Sequence, residues 1–221
     1  MSPIVPAIIP KTFDEIGKTL RIVSPFTHEV QIDIVDGVFV PFISWPYQEP
    51  GTITDLQVHT GDFLIEMDLM IQEPETVIEA YAKTGVRRIV VHLETVTDLN
   101  RICTVREKYD FKLGFSINND TPLEMLTAVI DSADYVQLMG IAHIGTQGQP
   151  FDERVLGRIR TLRHAYPELL ISIDGSVNLE TVGKLAHAGA GRCISGSAIL
   201  KAHNPPEAYT HLVSLHSISV T

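Results

Sequence analysis

The chain is poor in cysteine and in positive charge, and it has no long apolar run. Its two cysteines, Cys103 and Cys193, lie far apart and form no CxxC pair. That excludes a disulfide framework and a cysteine-built zinc site, so both are expected as free thiols in a reducing cytoplasm. Seventeen Lys and Arg stand against 27 Asp and Glu, a formal net charge of -10, with no basic run and no basic–aromatic interleaving. Nucleic acid and anionic membranes are therefore excluded as expected partners. A phosphorylated ligand is not excluded, because backbone N–H groups bind phosphate without net positive charge. No apolar run approaches the roughly 18 residues that span a bilayer. The opening MSPIVPAIIP lacks a cationic segment and is interrupted by prolines, so no signal peptide is expected there. No GxGxxG follows the first apolar run, which disfavours a doubly wound dinucleotide-binding sheet. No linker, charge block or low-complexity segment divides the sequence, and residues 1–221 are expected to form one domain.

What is present is one unit, repeated. Eight short apolar runs read as strands: IVPAII, EVQIDIV, FLIEMDLMI, RRIVVHLE, KLGFSIN, DYVQLMG, LLISIDG and RCISGS. Most are followed by stretches with helical spacing. TFDEIGKTLRIV opens on Thr12 with Glu15 three residues later, a capping box. EPETVIEAYAKTG has proline in its first turn and ends in glycine. FDERVLGRIRTLRHAY and NLETVGKLAHAGA also carry apolar residues at helical intervals. Only the segment from Pro41 to Thr60 is irregular, and SLHSISVT at the end reads as a surface terminus. Eight alternating units imply a closed (β/α)8 barrel, an α/β fold, with a doubly wound sheet as the alternative.

Barrel chemistry sits at the C-terminal strand ends, and alternate strand residues share a face. That puts Gln31, Asp33 and Val35 together, Glu66, Asp68 and Met70 together, and Ser172 with Asp174. His92 and Glu94 fall at the end of the fourth run. Three carboxylates, Asp33, Asp68 and Asp174, thus occupy matching positions. If they converge in a low dielectric, either a cation binds among them or one is protonated. Gly-Ser pairs follow the seventh and eighth runs, at Gly175-Ser176 and Gly196-Ser197, each at a turn into the next helix, where barrels often bind phosphate. The loop GIAHIGTQGQPF after the sixth run is long and glycine-rich, as a lid would be.

In their order and spacing, QIDIVDGVFVP, MDLMIQEPE, QLMGIAHIGTQGQPF, SIDGSV and SGSAIL resemble the signature segments of the ribulose-phosphate 3-epimerase family, from about Val5 to Leu200. The resemblance implies an isomerase of pentose phosphate and carbohydrate metabolism acting on a phosphorylated ketose. In that family two aspartates trade protons at C3 and a divalent metal holds the enediolate. Asp33 and Asp174 match the acid/base pair. Met70 and Met139 match pocket methionines, and Gly148, Gly175, Ser176, Gly196 and Ser197 match the phosphate turns. Gln31 and Asp68 stand where the family has ligand histidines, Ala7 where it has a serine, and Val35 where it has a methionine. The implied metal set of Gln31, Asp33, Asp68 and Asp174 is all oxygen, which suits Mg²⁺ or Mn²⁺ better than zinc. The alternative is a site without metal, in which His143 or a protonated aspartate stabilises the enediolate. A related phosphate-barrel lyase of the hexulose-phosphate synthase or keto-gulonate-phosphate decarboxylase type needs a lysine near Asp68, and EMDLMIQEPE has none. A phosphate-binding relic without activity is the third reading. A homo-oligomer in the cytoplasm is expected.

Overall fold

The segment from Glu29 to Val35 is buried at every residue. Continuous burial of this kind marks a parallel strand covered on both sides. The computed structural model describes residues 2–48, 51–145 and 148–219. Among the described residues there are eight strands: β1 (Ile4–Ile8), β2 (Glu29–Val35), β3 (Leu64–Met70), β4 (Arg88–His92), β5 (Lys112–Ile117), β6 (Tyr135–Met139), β7 (Ile171–Asp174) and β8 (Arg192–Ser195). They pair in parallel in chain order and close through β1 with β8, a (β/α)8 barrel.

Around them run α1 (Phe13–Val23), α2 (Gln57–Thr60), α3 (Ile78–Ala82), α4 (Leu99–Lys108), α5 (Leu123–Thr127), α6 (Arg154–Ala165), α7 (Val182–Ala188), α8 (Ser197–Leu200) and α9 (Pro205–Ser219). Outward strand residues Ile32, Ile34, Met67, Leu69, Ile89 and Val91 join helix residues Ile16, Leu20, Ile102 and Ile159 in one apolar layer. Each such aliphatic side chain, fully removed from water, contributes about 1.5–3 kcal/mol. No helix among the described residues is long and apolar enough to cross a membrane.

Local chemistry sets the ends. Thr12 caps α1 by accepting from the Glu15 N–H at 3.3 Å, while the Glu15 carboxylate accepts from the Lys11 N–H at 2.7 Å. The return bond therefore reaches one residue earlier than the capping box read from sequence. EPETVIEAYAKTG, expected as one helix, is a 3₁₀ turn at Pro74–Thr76 followed by the short α3. Buried Glu75 interrupts it by accepting from the backbone N–H groups of Thr97 at 3.1 Å and Asp98 at 3.2 Å. The terminal stretch, read as a surface tail, belongs to α9 as far as Ser219, with His216 buried 3.1 Å from the Ala190 carbonyl. Val220 and Thr221 lie outside the described residues.

Candidate active site

Inward-facing residues fill the barrel in layers, and the lowest is ionic. Arg192, with no solvent exposure, bonds Glu29 at 3.0 Å, pairs with Glu66 and reaches Ser172 at 3.4 Å. Arg88 lies 3.5 Å from Glu29, and the Tyr135 hydroxyl donates to Glu66 at 2.9 Å. Gly114 makes room for that ring, since a Cβ there would come within 2.4 Å of Tyr135. Buried carboxylates are thus met by buried guanidinium groups, the pairing that low dielectric demands.

One layer up, the strand ends bring Gln31, Asp33, Asp68 and Asp174 together. Register supplies the placement: Gln31 pairs with Glu66, Asp33 with Asp68, and Met139 with Asp174. One oxygen from each of the three aspartates lies within 4.8 Å of the others, a group able to hold a metal ion. The Gln31 amide bridges two of them, donating to Asp33 Oδ1 at 2.9 Å and to Asp174 Oδ2 at 3.1 Å. Asp68 is fully buried and accepts from Gln137 Nε2 at 2.8 Å. Its other oxygen lies 3.3 Å from His92 Nε2.

The electrostatics follow from this crowding. Burial, then the charges of Asp174 and Asp68, push the Asp33 carboxyl well above its ordinary range. Burial and Asp68 raise Asp174 to about 7, against the opposing hydrogen bonds from Gln31 and the Gly175 N–H. Burial would lower the His92 imidazole, but Asp68 and Glu94 outweigh it and raise its pKa. Asp174 therefore titrates near neutral pH, and the protonation of Asp33, Asp174 and His92 is linked through Asp68.

Above this layer a cavity of about 360 Å³ opens, lined by Asp33, Met70, Met139, Asp174 and the loops after β6, β7 and β8. Gly148, Gly175, Ser176, Gly196 and Ser197 all line it. Gly196-Ser197 does meet the start of α8. Gly175-Ser176 does not open a helix, since α7 begins only at Val182. It forms a turn at φ of +98° and +54° instead, which glycine adopts readily and serine does not. His143 is not in this cavity. Ile141 and Ile144 turn inward to pack with Val40, Met70 and Met139, which leaves His143 exposed beside a neighbouring cavity with Phe42 and Asn118. Thr146 and Gln147 of the expected lid lie outside the described residues.

Two residues of the site had no role assigned from sequence, His92 and Gln137. Both are polar, fully buried and inward-facing within apolar strands, which is the signal that could have found them.

The model of the family described as "Ribulose-phosphate 3 epimerase family" matches residues 3–200. A ribulose-phosphate 3-epimerase of Bacillus subtilis (strain 168) is 32% identical over 209 residues, covering 90% of this chain and 92% of that protein. One from Synechocystis sp. is 32% identical over 213 residues, covering 93% and 90%. Among solved structures, KGPDC from Streptococcus mutans superposes with a TM-score of 0.73 at 13% identity, covering 100% of both chains. At that identity the likeness speaks for the fold alone.

Proposed function

The chain belongs to the ribulose-phosphate 3-epimerase family and is a sugar-phosphate epimerase, and from that premise we propose that Asp33 and Asp174 are its acid–base pair. One observation carries the assignment: two carboxylates of raised pKa, Asp33 buried and Asp174 half-buried, line the same cavity and share one amide donor, Gln31. Epimerisation needs a base on one face of the carbon and an acid on the other. Two carboxylates that share roughly one proton meet that need in both directions. Asp33 in its ionised form removes the C3 proton of a ketose phosphate. Asp174, protonated, returns a proton to the opposite face, and the reverse reaction exchanges the roles. Met70 and Met139 wall the cavity around the planar intermediate. The backbone at Gly175-Ser176, Gly196-Ser197 and Gly148 receives the phosphate, so binding needs little positive charge.

The residues fit a divalent cation. Three carboxylates converge, and the Gln31 Oε1 is buried without a hydrogen-bond partner among the described atoms. Asp33, Asp68, Asp174 and Gln31 would hold it. When bound, such a cation supplies positive charge beside the enediolate oxygens. The donors are oxygens only, so Mg²⁺ or Mn²⁺ is favoured over Zn²⁺. A lyase reading finds less support, because no lysine is among the described residues lining the cavity. The free thiols of Cys103 and Cys193 are consistent with a cytoplasmic location.

The test uses ribulose 5-phosphate and related ketose phosphates in D₂O, with EDTA or with added Mn²⁺, followed by NMR. Deuterium entering at C3 with interconversion of the epimers is expected. Retention of hydrogen at C3 in every ketose phosphate would overturn the assignment.

A further inference from the structure

Asp68 is held differently from the other carboxylates of the barrel interior. Glu29 and Glu66 have Arg88 and Arg192. Asp33 and Asp174 share Gln31 and border the open cavity. Asp68 has no solvent exposure, is not among the residues lining the cavity and belongs to the three-carboxylate group. Its Oδ2 accepts from one amide, that of Gln137 on the opposite wall, at 2.8 Å. Gln137 is itself fully buried, stands between Tyr135 and Met139 on the inward face of β6, and makes no other side-chain bond among those described.

A buried glutamine in a strand that otherwise packs apolar groups is costly unless its donor is used. Here the donor is used on Asp68 alone. With one oxygen pinned, a carboxylate keeps the other in a fixed direction. Groups that fix a ligand in this way normally set metal affinity by 10- to 100-fold. We infer that Gln137 is a positioning residue for Asp68, holding that carboxylate in the orientation in which it receives a hard divalent cation. The inference rests on the metal reading given above.

Gln137 reaches Asp68 across the barrel from β6 to β3, so neither residue can satisfy the other by a local rearrangement of one strand. A neutral amide also suits the task better than a second cation would. It donates without competing with the incoming ion for the carboxylate's charge. His92 Nε2 lies 3.3 Å from the other oxygen, Oδ1, so that oxygen takes the cation through its remaining lone pair.

The test is Mn²⁺ affinity of the metal-stripped protein, read by electron paramagnetic resonance titration, for the wild type and for Gln137→Met. Gln137→Leu serves as a second apolar variant should the first fold poorly, and each variant is also made in an Asp68→Ala background. We expect the Kd for Mn²⁺ to rise about 10- to 100-fold in Gln137→Met. In the Asp68→Ala background the same substitution should change the Kd less than twofold, because its target is gone. A Kd unchanged by Gln137→Met overturns the inference, as does an equal weakening in both backgrounds, which would mean a packing effect. Absence of Mn²⁺ binding by the wild type would overturn the metal reading and the inference together. Binding by the wild type with no effect of Gln137→Met would overturn the inference alone.

Discussion

His92 Nε2 lies 3.3 Å from Asp68 Oδ1, and neither side chain is exposed to solvent. On its other edge, Nδ1 lies 3.9 Å from Glu94 Oε2, and Glu94 is fixed by the Asn118 N–H at 2.8 Å and the Thr121 hydroxyl at 2.5 Å. The imidazole thus lies between two acids inside the barrel, and they raise its pKa against the effect of burial. His92→Leu keeps the volume and removes the charge partner. It should cost about 3–5 kcal/mol of unfolding free energy, the usual loss when one member of a buried ionic pair is deleted. Urea denaturation measures it, and a loss below about 1 kcal/mol would mean that His92 is neutral and only packs.

Arg192 makes a comparable prediction without touching the chemistry. It lies in the lowest layer, with Glu29 and Glu66 as partners and no solvent exposure. Arg192→Met leaves both acids buried with less compensation, so stability should fall by about 3–5 kcal/mol. KM for a ketose phosphate should be unchanged in the folded fraction. A large KM change with intact stability would show that the ionic floor shapes the substrate cavity directly.

Much of this arrangement is legible in the amino-acid sequence. Strand alternation alone put Asp33 with Gln31 and Asp68 with Glu66 on inward faces, because a period of two leaves no other choice once one face is assigned. The closed barrel followed from eight alternating units. Helix integrity was less legible. Proline and glycine mark the ends of EPETVIEAYAKTG, but the interruption depends on Glu75 reaching Thr97 and Asp98, a contact between distant segments. His143 was misplaced for a related reason, since loop residues have no fixed period and the inward pull of Ile141 and Ile144 decided the matter. Gln137 shares its parity with Met139, but one polar residue in YVQLM carries no legible role without Asp68 across from it.

The phosphate turns can be tested by crowding. Gly196 lines the cavity at the start of α8. Gly196→Val places a branched side chain where the backbone must approach the phosphate closely. Loss of one hydrogen bond to a charged group is worth about 1.5–3 kcal/mol, so KM should rise at least about tenfold. Steady-state kinetics with ribulose 5-phosphate reads this directly, and an unchanged KM would move the phosphate elsewhere.

His216 gives a pH dependence of stability. Burial lowers its pKa below the ordinary value, against the weaker pull of the Ala190 carbonyl. A lowered folded-state pKa means that the unfolded chain binds the proton more tightly. Stability contributed by neutral His216 is therefore present above about pH 6.5 and is lost as pH falls below it, at no more than about 1.4 kcal/mol per pH unit. His216→Gln should lose less stability than the wild type between pH 7 and pH 5. Identical losses would show that the imidazole is free to protonate in the folded protein.

The acid–base pair is tested most directly by taking away one partner at a time. Asp33→Asn and Asp174→Asn each keep an oxygen donor but remove a proton carrier. With ribulose 5-phosphate and its C3 epimer supplied separately in D₂O, each variant should exchange the C3 proton of one epimer only, and the two variants should choose opposite epimers. Interconversion of the epimers should fall by about 10²–10⁴-fold in both. If either variant still interconverts the epimers at the wild-type rate, or if both exchange the same epimer, Asp33 and Asp174 are not acid and base on opposite faces of the substrate.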